Sequence, residues 1–309
     1  MKIAYVFPGQ GSQQVGMGRK LYEASPAARR VFREADETLG FSLSELCFAG
    51  PEEDLRQTVN AQPAIMTVSI AYLWAAAEML GKQRPALPAF VAGHSLGEYT
   101  ALVAADALDF ATGLRLVRER GRLMQWAGEL RPGTMAAVIG LDEPVLEAIC
   151  QETGAQIANA NSAEQLVISG TKRAVAQAID LCRARGARKA IPLDVSGAFH
   201  SSLMEPVVRG MTRAIERAPL KAPSVPLVAN CTGQAMTAPE ALREELVKQI
   251  CTCVRWQRCV EHMAAAGVSQ FVEFGPGRVL TGLGKRIAQE LESVTAEELL
   301  PKELAVAAR

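Results

Sequence analysis

Four short apolar runs, residues 3–7, 89–92, 225–229 and 270–274, stop at glycine- or proline-bearing loops, with helix-length periodic segments between them. Runs that are mostly apolar, and this short, suit strands buried on both faces by covering helices. The alternation predicts an α/β fold with a mainly parallel sheet. Helices are predicted at 26–39, 62–80, 96–105, 111–126, 202–217, 239–250, 256–266 and 278–290. The tail from Ser293, rich in Ala, Glu and Leu, reads as a frayed terminal helix.

One segment has a different rhythm. Strand patterns at 134–141, 155–159, 165–169 and 188–193 enclose helix patterns at 143–152 and 172–185. The order β-α-β-β-α-β is that of a split βαβ, ferredoxin-like unit. Arg131-Pro132-Gly133 marks its entrance. A chain of 309 residues has room for two domains at about 150 residues each. The reading is a discontinuous large α/β domain, 1–128 and 195–309, with a small domain inserted at 129–194.

Charge and cysteine usage narrow the function classes. There are 33 basic and 33 acidic residues, so the net charge is zero. A nucleic-acid binder needs a basic footprint, and none is visible in the balance. The apolar run at the N-terminus is too short for a secretory signal and ends in a Pro-Gly turn. No stretch approaches the roughly 18 uninterrupted apolar residues of a membrane span. Seven irregularly spaced cysteines argue against a disulfide framework and for a reducing, cytoplasmic setting.

The sharpest chemical signal is Gly93-His94-Ser95-Leu96-Gly97, placed between an apolar strand and a helix-like run. That is the context of a nucleophile elbow: flanking glycines allow a strained turn that presents the serine hydroxyl, and the next amide points into an oxyanion hole. A serine needs a base. Of the three histidines, His94 adjoins Ser95 and its side chain should diverge, and His262 sits on an amphipathic helix beside Glu261. His200, in a small-residue loop after a strand, is the better base. Asp194 lies six residues away, but a Ser–His dyad oriented by an amide or carbonyl stays open. Pro8-Gly9-Gln10-Gly11-Ser12-Gln13 is neither a dinucleotide fingerprint nor a P-loop. It is a tight turn or the source of a second oxyanion amide.

On the helix carrying four arginines, the 100° periodicity turns Arg120 toward the apolar and small-residue stripe. Arg115, Arg118 and Arg122 fall on the opposite face, where they should be solvated. A buried arginine needs an anion, which a structural carboxylate or a ligand could supply. Cys251, Cys253, Cys259 and His262 have no zinc-like spacing, so no metal site is expected.

Together these segments resemble the malonyl-CoA:acyl carrier protein transacylase family and the related acyltransferase domains of polyketide synthases. The matching residues are Phe7 to Gln13, Gly93 to Tyr99, Arg120-Gly121, Asn161-Ser162, Val167 to Gly170, Ala198 to Ser201, Glu273 to Gly277 and Leu280 to Leu283, in family order across nearly the whole chain. The resemblance implies an α/β-hydrolase-like large domain, Ser95 as nucleophile and His200 as base. It implies the amides of Gln10 and Leu96 as oxyanion hole, and the carbonyl of Gln249 as the group that orients the histidine. Arg120 would pair with the malonyl carboxylate, with Phe199 and Asn161 as further substrate-binding residues. A phenylalanine before the histidine accompanies malonyl in such domains, and a small residue accompanies methylmalonyl. One departure stands out: Cys253 occupies the place where the family usually has a proline.

The implied reaction moves malonyl from coenzyme A to the phosphopantetheine thiol of acyl carrier protein, in fatty-acid or polyketide synthesis. It needs no cofactor beyond the coenzyme A thioester substrate, and the resemblance favours a monomer. Two other classes are compatible with the elbow: a serine hydrolase or thioesterase, and a non-catalytic carrier-protein docking subunit.

Overall fold

The computed structural model describes residues 2–81 and 87–300. Its strands are β1 (Lys2–Phe7), β2 (Phe90–Gly93), β3 (Gly133–Ile139), β4 (Gln156–Ser162), β5 (Gln165–Thr171), β6 (Lys189–Pro192), β7 (Leu227–Val228), β8 (Ala235–Met236), β9 (Val268–Glu273) and β10 (Glu292–Thr295). Six of them form one sheet in the order β10-β9-β1-β2-β7-β8, parallel throughout except for β7 with β8. The other four form an antiparallel sheet in the order β4-β5-β3-β6.

The parallel sheet is buried on both faces, as its apolar runs predict. Ile3 and Phe7 of β1 join the larger helical core, while Ala4 and Val6 join a second cluster around Trp256, Val260 and Phe271. The antiparallel sheet and its helices, Glu143–Thr153 and Lys172–Ala184, follow the βαββαβ order and enclose a third cluster with Ile168 and Val175 in it. Its first and third strands, β3 and β5, are the central pair, as in a split βαβ unit.

The Thr58–Leu80 helix starts four residues before its expected beginning at Gln62 and carries Pro63 inside. It is long and apolar enough to cross a membrane by length and composition, but 67% of that window is buried within the protein, where it packs against the Phe110–Leu130 helix. Apolar residues all round mark a core helix. Pro63 has no N–H to give to the carbonyl of Val59, one turn back. Arg118 Nη1 supplies the missing donor at 2.7 Å, also bonds Asn60 Oδ1 at 2.6 Å, and lies 4.8 Å over the Phe41 ring. Arg118 is therefore not solvated as the helical phase predicted. A neighbouring helix covers that face and an orphaned carbonyl claims the guanidinium. Arg115 and Arg122 are exposed.

The C-terminal expectation is corrected as well. Ser293 opens no helix but lies in β10, whose Val294 pairs with Val272 at the sheet edge. A short helix, Ala296–Leu299, follows with a capping box from Thr295 and Glu298. The rest of that tail, 301–309, lies outside the described residues. The helices Arg19–Ala24, Leu43–Ala49 and Glu52–Arg56 have seven residues or fewer, too short to show a period in the sequence.

Register places the site. Phe7 pairs with Gly93, Val6 with Glu273, and Ala92 with Val228. The loops after β1, β2, β7 and β9 thus leave the sheet side by side at its carboxyl edge, where open α/β sheets bind their ligands.

Candidate active site

The elbow is enforced by close backbone packing. Ser95 has φ of 54°, a conformation that non-glycine residues rarely hold without support. A side chain at Gly93 would meet the carbonyl of Gly97 at 1.9 Å, and one at Gly97 would meet the carbonyl oxygen of Phe7 at 2.2 Å. Asn230, two residues past the end of β7, supports the turn from outside. Its Oδ1 accepts from the Ser95 amide at 2.8 Å and its Nδ2 donates to Gly93 O at 2.7 Å.

Ser95 Oγ lies 2.7 Å from His200 Nε2. His200, also at positive φ (56°), has its Nδ1 2.8 Å from the main-chain oxygen of Gln249. A carbonyl only accepts, so Nδ1 carries the proton and Nε2 is free to accept from Ser95. Asp194 is exposed and paired with Arg56 at 2.8 Å, so it is not a triad acid. Burial, followed by the Arg120 charge, pushes the His200 pKa down to about 3, against the opposing pull of the Gln249 carbonyl. At neutral pH the imidazole is an unprotonated acceptor.

Arg120 is 1% exposed, turned inward as its helical phase predicts. Nη1 donates to Gln62 Oε1 at 2.8 Å, and Nη2 to Gln249 Oε1 at 2.9 Å and Ser95 Oγ at 3.1 Å. The guanidinium lies 5.6 Å from the Tyr99 ring centroid, and its Nε has no partner among the described residues. All three acceptors are neutral, so a strong cation stands beside the nucleophile with no carboxylate bonded to it. An incoming carboxylate would find a planar fork already aimed at the reacting atom.

The loop after β1 is pressed onto the elbow: a side chain at Gly9 would meet His94 O at 2.6 Å. Gln10 anchors this loop by accepting from Thr58 Oγ1 at 2.8 Å. Among the described residues, the main-chain amides of Gln10 and Leu96 have no protein acceptor. Phe199 is 6% exposed and packs into the large core directly before His200. Asn161, on β4, accepts through Oδ1 from the His94 ring, Nε2, at 2.9 Å. His94 therefore diverges from Ser95, toward the small sheet, with its ring 5.8 Å from Trp256. His262 lies against Phe90, with ring centroids 5.8 Å apart.

The Cys253 departure leaves the loop after Gln249 in place. Val254 donates to Ala158 O and accepts from Ala160 N, both at 2.9 Å, which bolts the loop to β4. All seven cysteines are unpaired thiols, and no cluster of three potential metal-ligating side chains occurs among the described residues.

Three buried polar residues at the site were not singled out by sequence reasoning: Gln62, Glu98 and Asn230. Their signal was a polar residue where the apolar pattern calls for none, in a core helix, in the first turn behind the elbow, and at a strand end.

The acyl transferase domain family matches residues 4–304. A malonyl CoA-acyl carrier protein transacylase of Bacillus subtilis (strain 168) is 44% identical over 99% of this chain and 96% of its own length. The Escherichia coli (strain K12) protein of the same name is 42% identical over 96% of each chain. The crystal structure of an acyl-carrier-protein S-malonyltransferase from Bartonella henselae aligns with a TM-score of 0.92, at 42% identity over 98% of this chain and 97% of that one. A malonyl-transacylase in complex with its type II PKS acyl carrier protein aligns with the same TM-score, at 40% identity over 98% of each chain. With the serine, histidine and arginine converging at the carboxyl edge of such a sheet, this chain belongs to the acyl transferase domain family, among the malonyl CoA-acyl carrier protein transacylases.

Proposed function

We propose that the protein transfers malonyl from malonyl-CoA to the phosphopantetheine thiol of an acyl carrier protein. The observation that carries this reading is the buried Arg120 fork 3.1 Å from the Ser95 hydroxyl, which is itself 2.7 Å from His200. A hydrolase of neutral esters has no use for an unpaired cation there.

The steps follow from the geometry. His200 Nε2 takes the proton of Ser95 as Oγ bonds to the thioester carbonyl carbon. The developing oxyanion sits against the amides of Gln10 and Leu96. Collapse breaks the C–S bond, and coenzyme A leaves with the proton from His200. The carrier thiol then gives its proton to the same nitrogen, attacks the malonyl-serine ester and displaces Ser95, which recovers the proton. The chain's own groups complete the chemistry, so no cofactor is called for. Phe199 narrows the space beside the acyl group, and Asn161 holds the elbow through His94.

The substrate's charge serves the base as well. A positive Arg120 disfavours a positive His200. Once the malonyl carboxylate neutralises the guanidinium, the imidazolium formed during attack becomes less costly. Acetyl thioesters bring no such charge.

We take 1–128 and 195–309 as a large domain carrying the dyad and 129–194 as a small one beside it, a division supported by the contacts of β4 with Val254 and His94. We place the enzyme in the cytoplasm, acting as a monomer. Intact-mass measurement after malonyl-CoA should show one malonyl adduct that disappears on adding carrier protein and is absent in Ser95→Ala. Carrier proteins from fatty-acid and polyketide systems tell which pathway it serves. Release of free malonate at full rate without carrier protein would instead make it a hydrolase.

A further inference from the structure

The Glu98 side chain is fully buried and bonds neither the Ser95 hydroxyl nor His200, yet both of its carboxylate oxygens are committed to groups that hold them. Oε1 accepts from the main-chain N–H of Asn230 at 2.8 Å, and the Asn230 side chain clamps the Ser95 turn. Oε2 accepts from Gln249 Nε2 at 2.6 Å. The second hydrogen on Gln249 Nε2 goes to Ser95 O at 2.9 Å. With both amide hydrogens spent on acceptors, Gln249 Oε1 faces the other way, onto Arg120 Nη2. The main-chain oxygen of the same residue accepts a hydrogen bond from His200 Nδ1–H. Gln249 therefore holds the base with its backbone and the cation with its side chain, and Glu98 decides which way that side chain points.

We propose that Glu98 is the positioning residue of this site: through Gln249 it aims the Arg120 fork, and through Asn230 it braces the Ser95 turn. The inference rests on the malonyl-transfer reading of the site. Both partners of Glu98 are N–H donors, so only a group that accepts at both ends fits between them. Burial and the nearby Glu245 carboxylate push the Glu98 carboxyl upward, while the two donors and the Arg120 charge favour its ionised form. A glutamine of the same shape always leaves one N–H facing another. If that N–H meets Gln249, the Gln249 amide loses the bond that orients it and Arg120 loses its acceptor. If it meets Asn230, the elbow loosens.

The two arms have different readouts. Loosening the elbow slows acyl transfer from every thioester. Misaiming Arg120 slows only the thioester that brings a carboxylate, because its reacting carbonyl is then misplaced, and about an ångström of displacement costs on the order of 100-fold. The test compares kcat/KM for malonyl-CoA and acetyl-CoA in wild type, Glu98→Gln, Arg120→Ala and the double variant, with thermal denaturation alongside. We expect Glu98→Gln to lower malonyl transfer by about 10- to 100-fold and the malonyl-to-acetyl ratio by about tenfold. In the Arg120→Ala background the same change should leave the ratio where it is. Gln249→Met keeps the main-chain carbonyl for His200 and removes the amide. It should lower the ratio as Glu98→Gln does, which keeps the proposal testable if Glu98→Gln does not fold. A ratio unchanged in Glu98→Gln or in Gln249→Met overturns the proposal, and so does a fall in the ratio that persists without Arg120. A wild type with no malonyl preference overturns the underlying function reading too, an outcome recognisable before any variant is made.

Discussion

At the scale of single residues the site turns on two buried nitrogen bases of unlike charge. Arg120 stays a cation while bonded only to neutral acceptors, and His200 beside it is held neutral. Arg120→Ala should therefore cost malonyl transfer about 3–5 kcal/mol in kcat/KM and spare acetyl transfer. Arg120→Lys, a point charge without the fork, should recover only part of it. Equal losses for both substrates would make the arginine structural. The histidine predicts a pH response of definite sign. Its folded pKa, about 3, lies below the ordinary histidine value, so acidification protonates the unfolded chain first. Stability should fall as pH drops below about 6.5, by up to about 1.4 kcal/mol per pH unit from this residue, until its folded pKa is reached. Catalysis follows the same group: the acidic limb of kcat/KM for acetyl-CoA should move to higher pH in Arg120→Ala, since removing the cation lets His200 protonate more easily. A limb that stays put would detach His200 from the Arg120 field.

Among elements, the seam between the Thr58–Leu80 and Phe110–Leu130 helices decides where the selecting arginine stands. Gly121 lets the helices close, since a side chain there would fall 2.6 Å from Thr58 O. Two arginines two residues apart then play different parts. Arg120 points into the site, and Arg118 fills the place of the N–H that Pro63 lacks. Arg118→Ala should leave the malonyl-to-acetyl ratio unchanged and cost about 1–2 kcal/mol in denaturant unfolding, because it orphans a carbonyl that is only half-sheltered from water. Arg122→Ala, which removes an exposed arginine paired with the half-exposed Glu119 one turn away, should not move the midpoint. A stability loss no larger for Arg118 than for Arg122 would remove the proline-rescue account. The helix phase told inward from outward correctly at position 120. It failed at 118 because periodicity describes one helix and knows nothing of the neighbour that covers its back.

In the whole molecule, the two sheets meet around the loop after Gln249. The Val254 backbone is pinned to β4, Arg255 pairs with Glu143 of the small unit, and Asn161 reaches His94 beside the nucleophile. Cys253 sits in this junction with Thr252 extended before it (φ −119°, ψ 150°), the conformation that precedes proline without strain. The Cys253 amide has no acceptor among the described residues. Cys253→Pro should thus be tolerated, keeping malonyl transfer and raising stability by about 0.4–1 kcal/mol by stiffening the unfolded chain. A drop in both would show that the cysteine amide or sulfur holds the junction. Much of this architecture is written locally. Apolar run length set the parallel sheet, the change of rhythm after Pro132 set the small βαββαβ unit, and glycines at 93 and 97 set the strained serine, because strand burial, helix period and turn sterics are properties of neighbours in sequence. Residues far apart in the chain could not be ordered that way. That Asp194 faces solvent, that β10 closes the sheet edge where a helix was expected, and that Glu98, Asn230, Gln62 and Gln249 link nucleophile, base and cation are matters of long-range register and of pairing buried polar groups. Those are decided only when the chain closes on itself and each desolvated donor must find its acceptor.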